Sequence, residues 1–356
     1  MTVVALGVPS VHRPPSPAPT EGPLIDTFGR VATDLRVSLT DLCNLRCTYC
    51  MPAEGLDWMP GDHKLRPDEL AKLLRIAVTR LGITSVRFTG GEPLVVPHLE
   101  DVIATTAALD PRPEITLTTN GVGLAQRAAA LKEAGLDRIN VSLDTVDAAH
   151  FAAITRRDRL ADVVAGLRAA SLAGLSPVKV NAVLDPETGI EDAVDLLQFC
   201  LDHGYQLRII EQMPLDAGHS WQRDRAIGAG SVLSTLQRHF TLTPDPTPRG
   251  SAPAQLWQVS SAEDGAQVIG RVGIIASVSK PFCAACDRTR LTADGQVRNC
   301  LFAREETDLR ALLRAGADDD ALEAAWRAAM WAKAAGHGIN DPDFVQPDRP
   351  MSAIGG

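Results

Sequence analysis

The sequence predicts an α/β fold built on a parallel sheet. Short β-rich runs alternate with helical patterns from Asp34 to about residue 213. The alternation makes six strand-then-helix units, and parallel neighbours need such crossovers. With 356 residues, 45% of them hydrophobic, the chain can bury one large domain and an appended second one.

Residues 1–24 are proline-rich, lack hydrophobic period and read as a disordered leader in which His12 is solvated. Candidate strands then cover 35–39, 85–89, 115–118, 138–143, 178–183 and 207–210, with helices at 67–81, 97–109, 125–134, 160–173 and 191–203. Pro67 at a helix start and Gly82 just past its end fit the chemistry of helix termini. Periodicity does not decide whether the sheet is open or curled. After Met213 the alternation stops. Residues 214–227, with His219 and Trp221, read as a loop, 228–240 as a helix with its entry turn, and 241–253 as a proline-rich connection. Strand-like runs at 256–259 and 268–278, a hairpin signal at Asp294 and Gly295, and an alanine-rich helical stretch over 305–335 make residues 228–356 a second, mixed domain.

A formal net charge of −9 argues against general nucleic-acid binding, while leaving room for local basic pockets. No apolar run approaches the roughly 18 residues of a membrane-spanning helix. The N-terminus lacks the basic start and apolar core of a signal peptide, so the cytoplasm is the expected compartment. Seven cysteines in a reducing compartment are ligands or core residues rather than disulfides. Six of them fall in two triads, leaving Cys200 as a core thiol on an apolar helix face.

The first triad lies in LTDLCNLRCTYCM, residues 39–51, where Cys43, Cys47 and Cys50 have CxxxCxxC spacing. Three thiolates in one short loop suit an iron–sulfur cubane with one iron left open. Spacing alone also allows a zinc loop completed by His63, or a redox pair of Cys47 and Cys50. The second triad, Cys283, Cys286 and Cys300, again lacks an obvious fourth ligand; zinc with a distant partner such as His337 and a cluster are both open. Arg288 and Arg290, set between those cysteines, make sense beside an anionic substrate. Arg36, Arg87 and Lys179 lie in or beside candidate strands and could converge on one anion. Thr118, Asn120, Ser142 and Asp144 cluster at strand ends, where helix capping is the plainer role.

CxxxCxxC with Tyr49 before its third cysteine resembles the signature of radical S-adenosylmethionine (SAM) enzymes. GGEP, from Gly90 to Pro93, resembles that family's motif for the SAM amino group. Adding the second triad and the terminal Gly355 and Gly356, the chain is similar from about Leu24 to Gly356 to the GTP 3′,8-cyclases of molybdenum cofactor biosynthesis. That resemblance implies a partial (β/α)6 TIM-type barrel over 25–227, with a C-terminal mixed α/β extension over 228–356 carrying a second cluster. It implies SAM and two [4Fe–4S] clusters as cofactors, one held by Cys43, Cys47 and Cys50 and the other by Cys283, Cys286 and Cys300. Tyr49, Gly91, Asn120, Ser142 and Met213 would contact SAM. Arg36, Arg87, Thr118, Lys179, Arg288, Thr289 and Arg290 would bind GTP, and Gly355 and Gly356 would insert into the active site. The implied partners are a flavodoxin or ferredoxin as electron donor, a downstream cyclic pyranopterin monophosphate synthase, and a second copy of the chain in a homodimer. The chain departs from the expected pattern at Ser85, where relatives lead one to expect a cation, so the triphosphate grip is weaker or rearranged. Two rival readings are a different radical SAM enzyme that modifies a peptide and a zinc-stabilised nucleotide-binding protein without catalysis.

Overall fold

Residues 16–260 and 267–355 are described in a computed structural model. Six strands form where alternation predicts them: β1 Asp34–Ser38, β2 Ser85–Thr89, β3 Glu114–Thr119, β4 Arg138–Ser142, β5 Val178–Ala182 and β6 Gln206–Ile210. Between them run α1 Pro67–Thr79, α2 Leu99–Ala107, α3 Leu124–Glu133, α4 Ala148–Thr155, α5 Leu160–Leu172 and α6 Asp192–Asp202. Pro67 opens α1, and the Glu69 carboxylate accepts the Arg66 N–H at 2.8 Å, satisfying a donor the helix leaves free. Helix α4 was not expected. Its run AAHFAAIT is apolar nearly all round and shows little helical period, yet the Asp147 side chain caps it by accepting from the His150 N–H.

The C-terminal region adds α7 Ala229–Gln237, β7 Thr241–Pro244, β8 Gln255–Ser260, β9 Val268–Ile275, β10 Arg288–Leu291, β11 Gln296–Arg298, β12 Thr307–Asp308, α8 Leu309–Arg314, α9 Asp319–Trp331 and α10 Met351–Ile354. The segment expected as a connection therefore begins with a strand, β7, whose Pro244 ends the ladder it forms with β8.

All these strands join one sheet, in the order β12-β11-β10-β1-β2-β3-β4-β5-β6-β9-β8-β7. β10 pairs parallel with β1, and β9 pairs parallel with β6. The C-terminal region thus extends both edges of a partial TIM-type barrel. Part of the expected leader is packed as well. Leu24 is fully buried, and the Gly22 and Ser16 carbonyls accept from Arg327 and Trp331 at 2.9 and 2.8 Å. Residues 1–15 lie outside the described residues. No helix among the described residues is long and apolar enough to cross a membrane.

Strand alternation sorts the side chains. Leu35, Val37, Val86, Phe88, Ile115, Leu117, Ile139, Val141, Leu207 and Ile209 belong to one buried apolar core, the outer face of the sheet with its covering helices. Burying each stabilises by roughly 1.5–3 kcal/mol. The intervening positions are polar and face the inside of the curl. Because the outer face supplies the cohesion, the inner face is free to carry charge.

Trp326 of α9, with no exposed surface, donates from Nε1 to Thr289 Oγ1 at 3.0 Å, fastening this helix to β10. Trp326→Phe should cost about 1–3 kcal/mol by leaving the Thr289 hydroxyl unpaired, and Trp326→Ala about 3–5 kcal/mol. The midpoint of anaerobic urea unfolding checks this.

Candidate functional site

The inner face of the sheet encloses a cavity of about 720 Å³. Strand register stacks its lining. Arg290, Arg36 and Arg87 are directly paired neighbours on β10, β1 and β2. Lys179 on β5 pairs with Asn140 on β4, and Arg208 on β6 with Asn181 on β5. Eight cationic side chains line the cavity against four carboxylates. One carboxylate, Glu114, is taken by Arg138 at 2.6 Å. Asp34 is the main counter-charge left: burial pushes its carboxyl up, but Arg36, Arg87, Arg288 and Arg290 bring it below the usual range. Burial, and after it the neighbouring cations, lower Arg87 to about 10, Arg208 and Arg290 to about 9, and Lys179 to about 8. The buried Nε atoms of Arg36, Arg87 and Arg288 have no hydrogen-bond partner in the protein. Buried donors left open along a row of cations fit a polyanion.

The first triad sits above one end of this cavity, on the loop after β1. The Cys47 carbonyl accepts from the Cys50 and Met51 N–H groups at 3.0 and 3.1 Å, folding the loop into a turn. The loop rests on α4: Arg46 and Thr48 donate to the Thr155 and Ile154 carbonyls, and Arg156 holds the Arg46 and Met51 carbonyls. Gly90 and Gly91 lie so close to Thr40–Leu42 that a Cβ would collide with their backbone carbonyls. Only glycine permits this backbone-on-backbone contact, in which Gly91 N donates to Thr40 O at 2.6 Å. The two glycines therefore seat the cysteine loop, and Gly91 is not part of the cavity lining.

Glu92, the third residue of GGEP, is the staple of this end. Its carboxylate accepts from Leu94 N, Thr119 Oγ1 and Asn120 N at 2.9, 2.5 and 2.7 Å, tying the loop after β2 to the end of β3. Burial raises its carboxyl to about 7. Asn120, so held, donates to Asn44 Oδ1 at 2.6 Å and approaches Cys43 Sγ at 3.8 Å. Tyr49 donates to Asp144 at 2.8 Å, and burial raises Asp144 to about 6. Burial also pushes up the thiols of Cys43 and Cys47, and that of Cys50 to about 12, each with a further rise from a neighbouring negative group. Tyr49, Thr118, Ser142 and Met213 line the cavity, and Trp221 joins Tyr49 in a smaller side cavity of about 230 Å³.

Cys283, Cys286 and Cys300 line the main cavity directly. The segment after α9 wraps them. Arg30 bridges the Cys283 carbonyl to those of Ala334 and Ala335, and Asn299 donates to the Ala329 carbonyl at 2.8 Å. Lys333 Nζ lies 3.3 Å from Cys286 Sγ. Among the described residues no three Cys, His, Asp or Glu side chains close around a single ion. The fit to a polynuclear group rests on donor chemistry: each triad offers three free thiols, and among the described residues no fourth ligand closes on them.

The C-terminal tail reaches the cavity, which Met351 lines. The Arg290 guanidinium donates to the Gly355 carbonyl at 2.8 Å, and a Cβ on Gly355, at φ +84°, would sit 2.7 Å from Thr89. Arg349, paired with Asp294 and Glu306 at 3.0 and 2.7 Å, anchors the tail just before α10. Gly356 lies outside the described residues.

One expected contact is corrected. Thr289 is buried on the opposite face of β10 from Arg288 and Arg290, with its hydroxyl on Trp326, because neighbouring strand residues point to opposite sides. Sequence reasoning missed Arg138 and Arg208, although both share the inward alternation of Asn140 and Lys179. It also missed Arg249, which arrives from the loop after β7 and stacks with Arg288 on Phe282 at 5.8 and 5.4 Å.

Residues 37–200 match the Radical SAM superfamily, and residues 205–339 match Molybdenum Cofactor Synthesis C. Over its full length and theirs, the chain is 75% identical to the GTP 3′,8-cyclases of Mycobacterium sp. (strain KMS) and Mycolicibacterium smegmatis. Identity to GTP 3′,8-cyclase 2 of Mycobacterium tuberculosis (strain H37Rv) is 71%, also with full coverage of both chains. Among solved structures, Streptococcus suis SuiB bound to S-adenosylmethionine shares the fold at 14% identity and a TM-score of 0.57, covering 90% of this chain and 76% of that one.

A raised carboxyl such as Glu92 contributes stability that is complete below its unfolded value of about 4.5 and is lost as pH climbs through about 7. The loss amounts to roughly 3 kcal/mol by linkage. Glu92→Gln should flatten the fall in unfolding free energy between pH 5 and 8, measured by anaerobic denaturation. An unchanged slope would assign the dependence elsewhere.

Proposed function

The chain belongs to the GTP 3′,8-cyclase family of radical SAM enzymes, and from that premise we propose how its residues divide the work. The enzyme converts GTP to (8S)-3′,8-cyclo-7,8-dihydroguanosine 5′-triphosphate, the first step of molybdenum cofactor biosynthesis. When bound, a [4Fe–4S] cluster and SAM supply the one-electron chemistry that removes the ribose C3′ hydrogen. Cys43, Cys47 and Cys50 would hold that cluster, with Tyr49, Gly91, Asn120, Ser142 and Met213 around SAM. Cys283, Cys286 and Cys300 would hold a second cluster facing the guanine.

The observation that carries the assignment is the row of buried, unpartnered guanidinium donors on the inner face between the two triads. Arg36, Arg87, Arg288 and Arg290 would grip the triphosphate, joined by Lys179 and by the newly recognised Arg208 and Arg249, with Thr118 beside them. Ser85 lines the same wall, so a wall short of one strand cation would be supplemented from β6 and the β7–β8 loop. Held at phosphate and base, the ribose between them would be restricted in orientation. Positioning of this kind can contribute on the order of 7–11 kcal/mol and aims the reaction at a single C–H bond. The tail would complete the wall: Gly355 fits where a side chain would strike Thr89.

The partners proposed with this activity are a flavodoxin- or ferredoxin-type electron donor, cyclic pyranopterin monophosphate synthase as consumer of the product, and a second copy of the chain, all in the cytoplasm.

Anaerobic turnover of reconstituted protein with SAM, dithionite and GTP tests the assignment, with 5′-deoxyadenosine and nucleotide products followed by mass spectrometry. GTP should stimulate 5′-deoxyadenosine formation and yield a nucleotide isomeric with GTP. Deleting Gly355 and Gly356 should abolish that product while iron and sulfide content stay at the wild-type level. Unchanged turnover by the truncated protein would remove the tail from the mechanism.

A further inference from the structure

Lys333, two residues past α9, is 3% exposed and finds no carboxylate among the described residues. Its Nζ donates to the Arg288 carbonyl at 2.9 Å and lies 3.3 Å from Cys286 Sγ. Burying a lysine without a carboxylate is costly unless another negative group stands in, and here sulfur is the group within reach. The contact also joins parts of the chain 47 residues apart, so it forms only when α9 docks behind β10.

The two triads differ sharply in this respect. Around the first, Glu92, Asp144 and Asp216 outnumber the nearby cation, Arg46, and the side-chain donor to Cys43 is the neutral Asn120 amide at 3.8 Å. At the second, Lys333 at 3.3 Å and the Arg288 guanidinium at 3.9 Å both face Cys286. Hydrogen bonds to ligand sulfurs and local charge are among the factors that set the potential of an iron–sulfur cluster of given type, and a donor or a positive charge beside a ligand sulfur makes an added electron easier to accept.

We infer that Lys333 is a positioning residue for the second metal centre, fastening Cys286 to β10 and holding the potential of that centre above the value its three cysteines alone would give. This rests on the reading of Cys283, Cys286 and Cys300 as cluster ligands. Lys333 stands apart from the GTP-binding residues, since it does not line the cavity. It acts on substrate only through the cluster and through the backbone that carries Arg288.

The test is potentiometry of the full-length reconstituted protein, monitored by electron paramagnetic resonance, with the two signals assigned by Cys50→Ala and Cys300→Ala variants. In Lys333→Met the second centre should shift to lower potential while the first stays in place. Lys333→Gln, which keeps an N–H donor but not the charge, should shift in the same direction and serves if the Met variant does not fold. A second centre that keeps its potential in Lys333→Gln overturns the inference, as does an equal shift of both centres. Iron and sulfide analysis of the wild type separates this from the underlying assignment: about four irons per chain rather than about eight would mean that the second triad holds no cubane.

Discussion

Arg36, Arg87, Arg288 and Arg290 stand on three adjacent strands, facing one space, with only Asp34 and Asp287 within salt-bridge reach among the described residues. Two unit charges 4 Å apart interact by roughly 4 kcal/mol at an effective dielectric near 20, so such crowding strains any sheet that carries it. This sheet tolerates it because its cohesion lies on the other face, where aliphatic side chains pack against the helices. The polar interior inverts the usual filled barrel, whose inward side chains are mostly branched and apolar. An anion entering this space relieves repulsion already present, and affinity follows from the architecture of the sheet.

The two ends of the cavity are built by different means. At the first triad the chain relies on close backbone approach: Gly90 and Gly91 touch Thr40–Leu42, and Glu92 gathers three donors from neighbouring loops. At the second, Arg30 and Lys333, from segments far along the chain, join Asn299, the neighbour of Cys300, in tying the cysteines to the end of α9. The first end is a local motif and the second a product of tertiary packing. That contrast also explains why a short sequence pattern reveals the one more readily than the other.

Much of the barrel was legible because its strands obey a strict period of two. β2 begins and ends where the pattern places it, and the inward residues of β1, β4 and β5 follow from the same rule. Arg138 and Arg208 carried that signal, and so did Thr289, whose outward face is implied once Arg288 and Arg290 face in. Helix α4 was hidden by a run that is apolar on nearly all sides. No local signal announces that β9 and β10 join opposite edges of the barrel, since both pairings depend on partners far away in the chain. Arg249, Arg349 and Lys333 acquire their roles only through those long-range pairings.

The claim that the inner cations hold the substrate by its phosphates is tested most directly by anaerobic calorimetry with guanosine, GMP, GDP and GTP at low and high salt. Affinity should rise with each phosphate added, and the gain should shrink as salt is raised, because screening weakens charge pairing wherever water reaches it. Guanosine binding as tightly as GTP, or a GTP affinity indifferent to salt, would contradict the account.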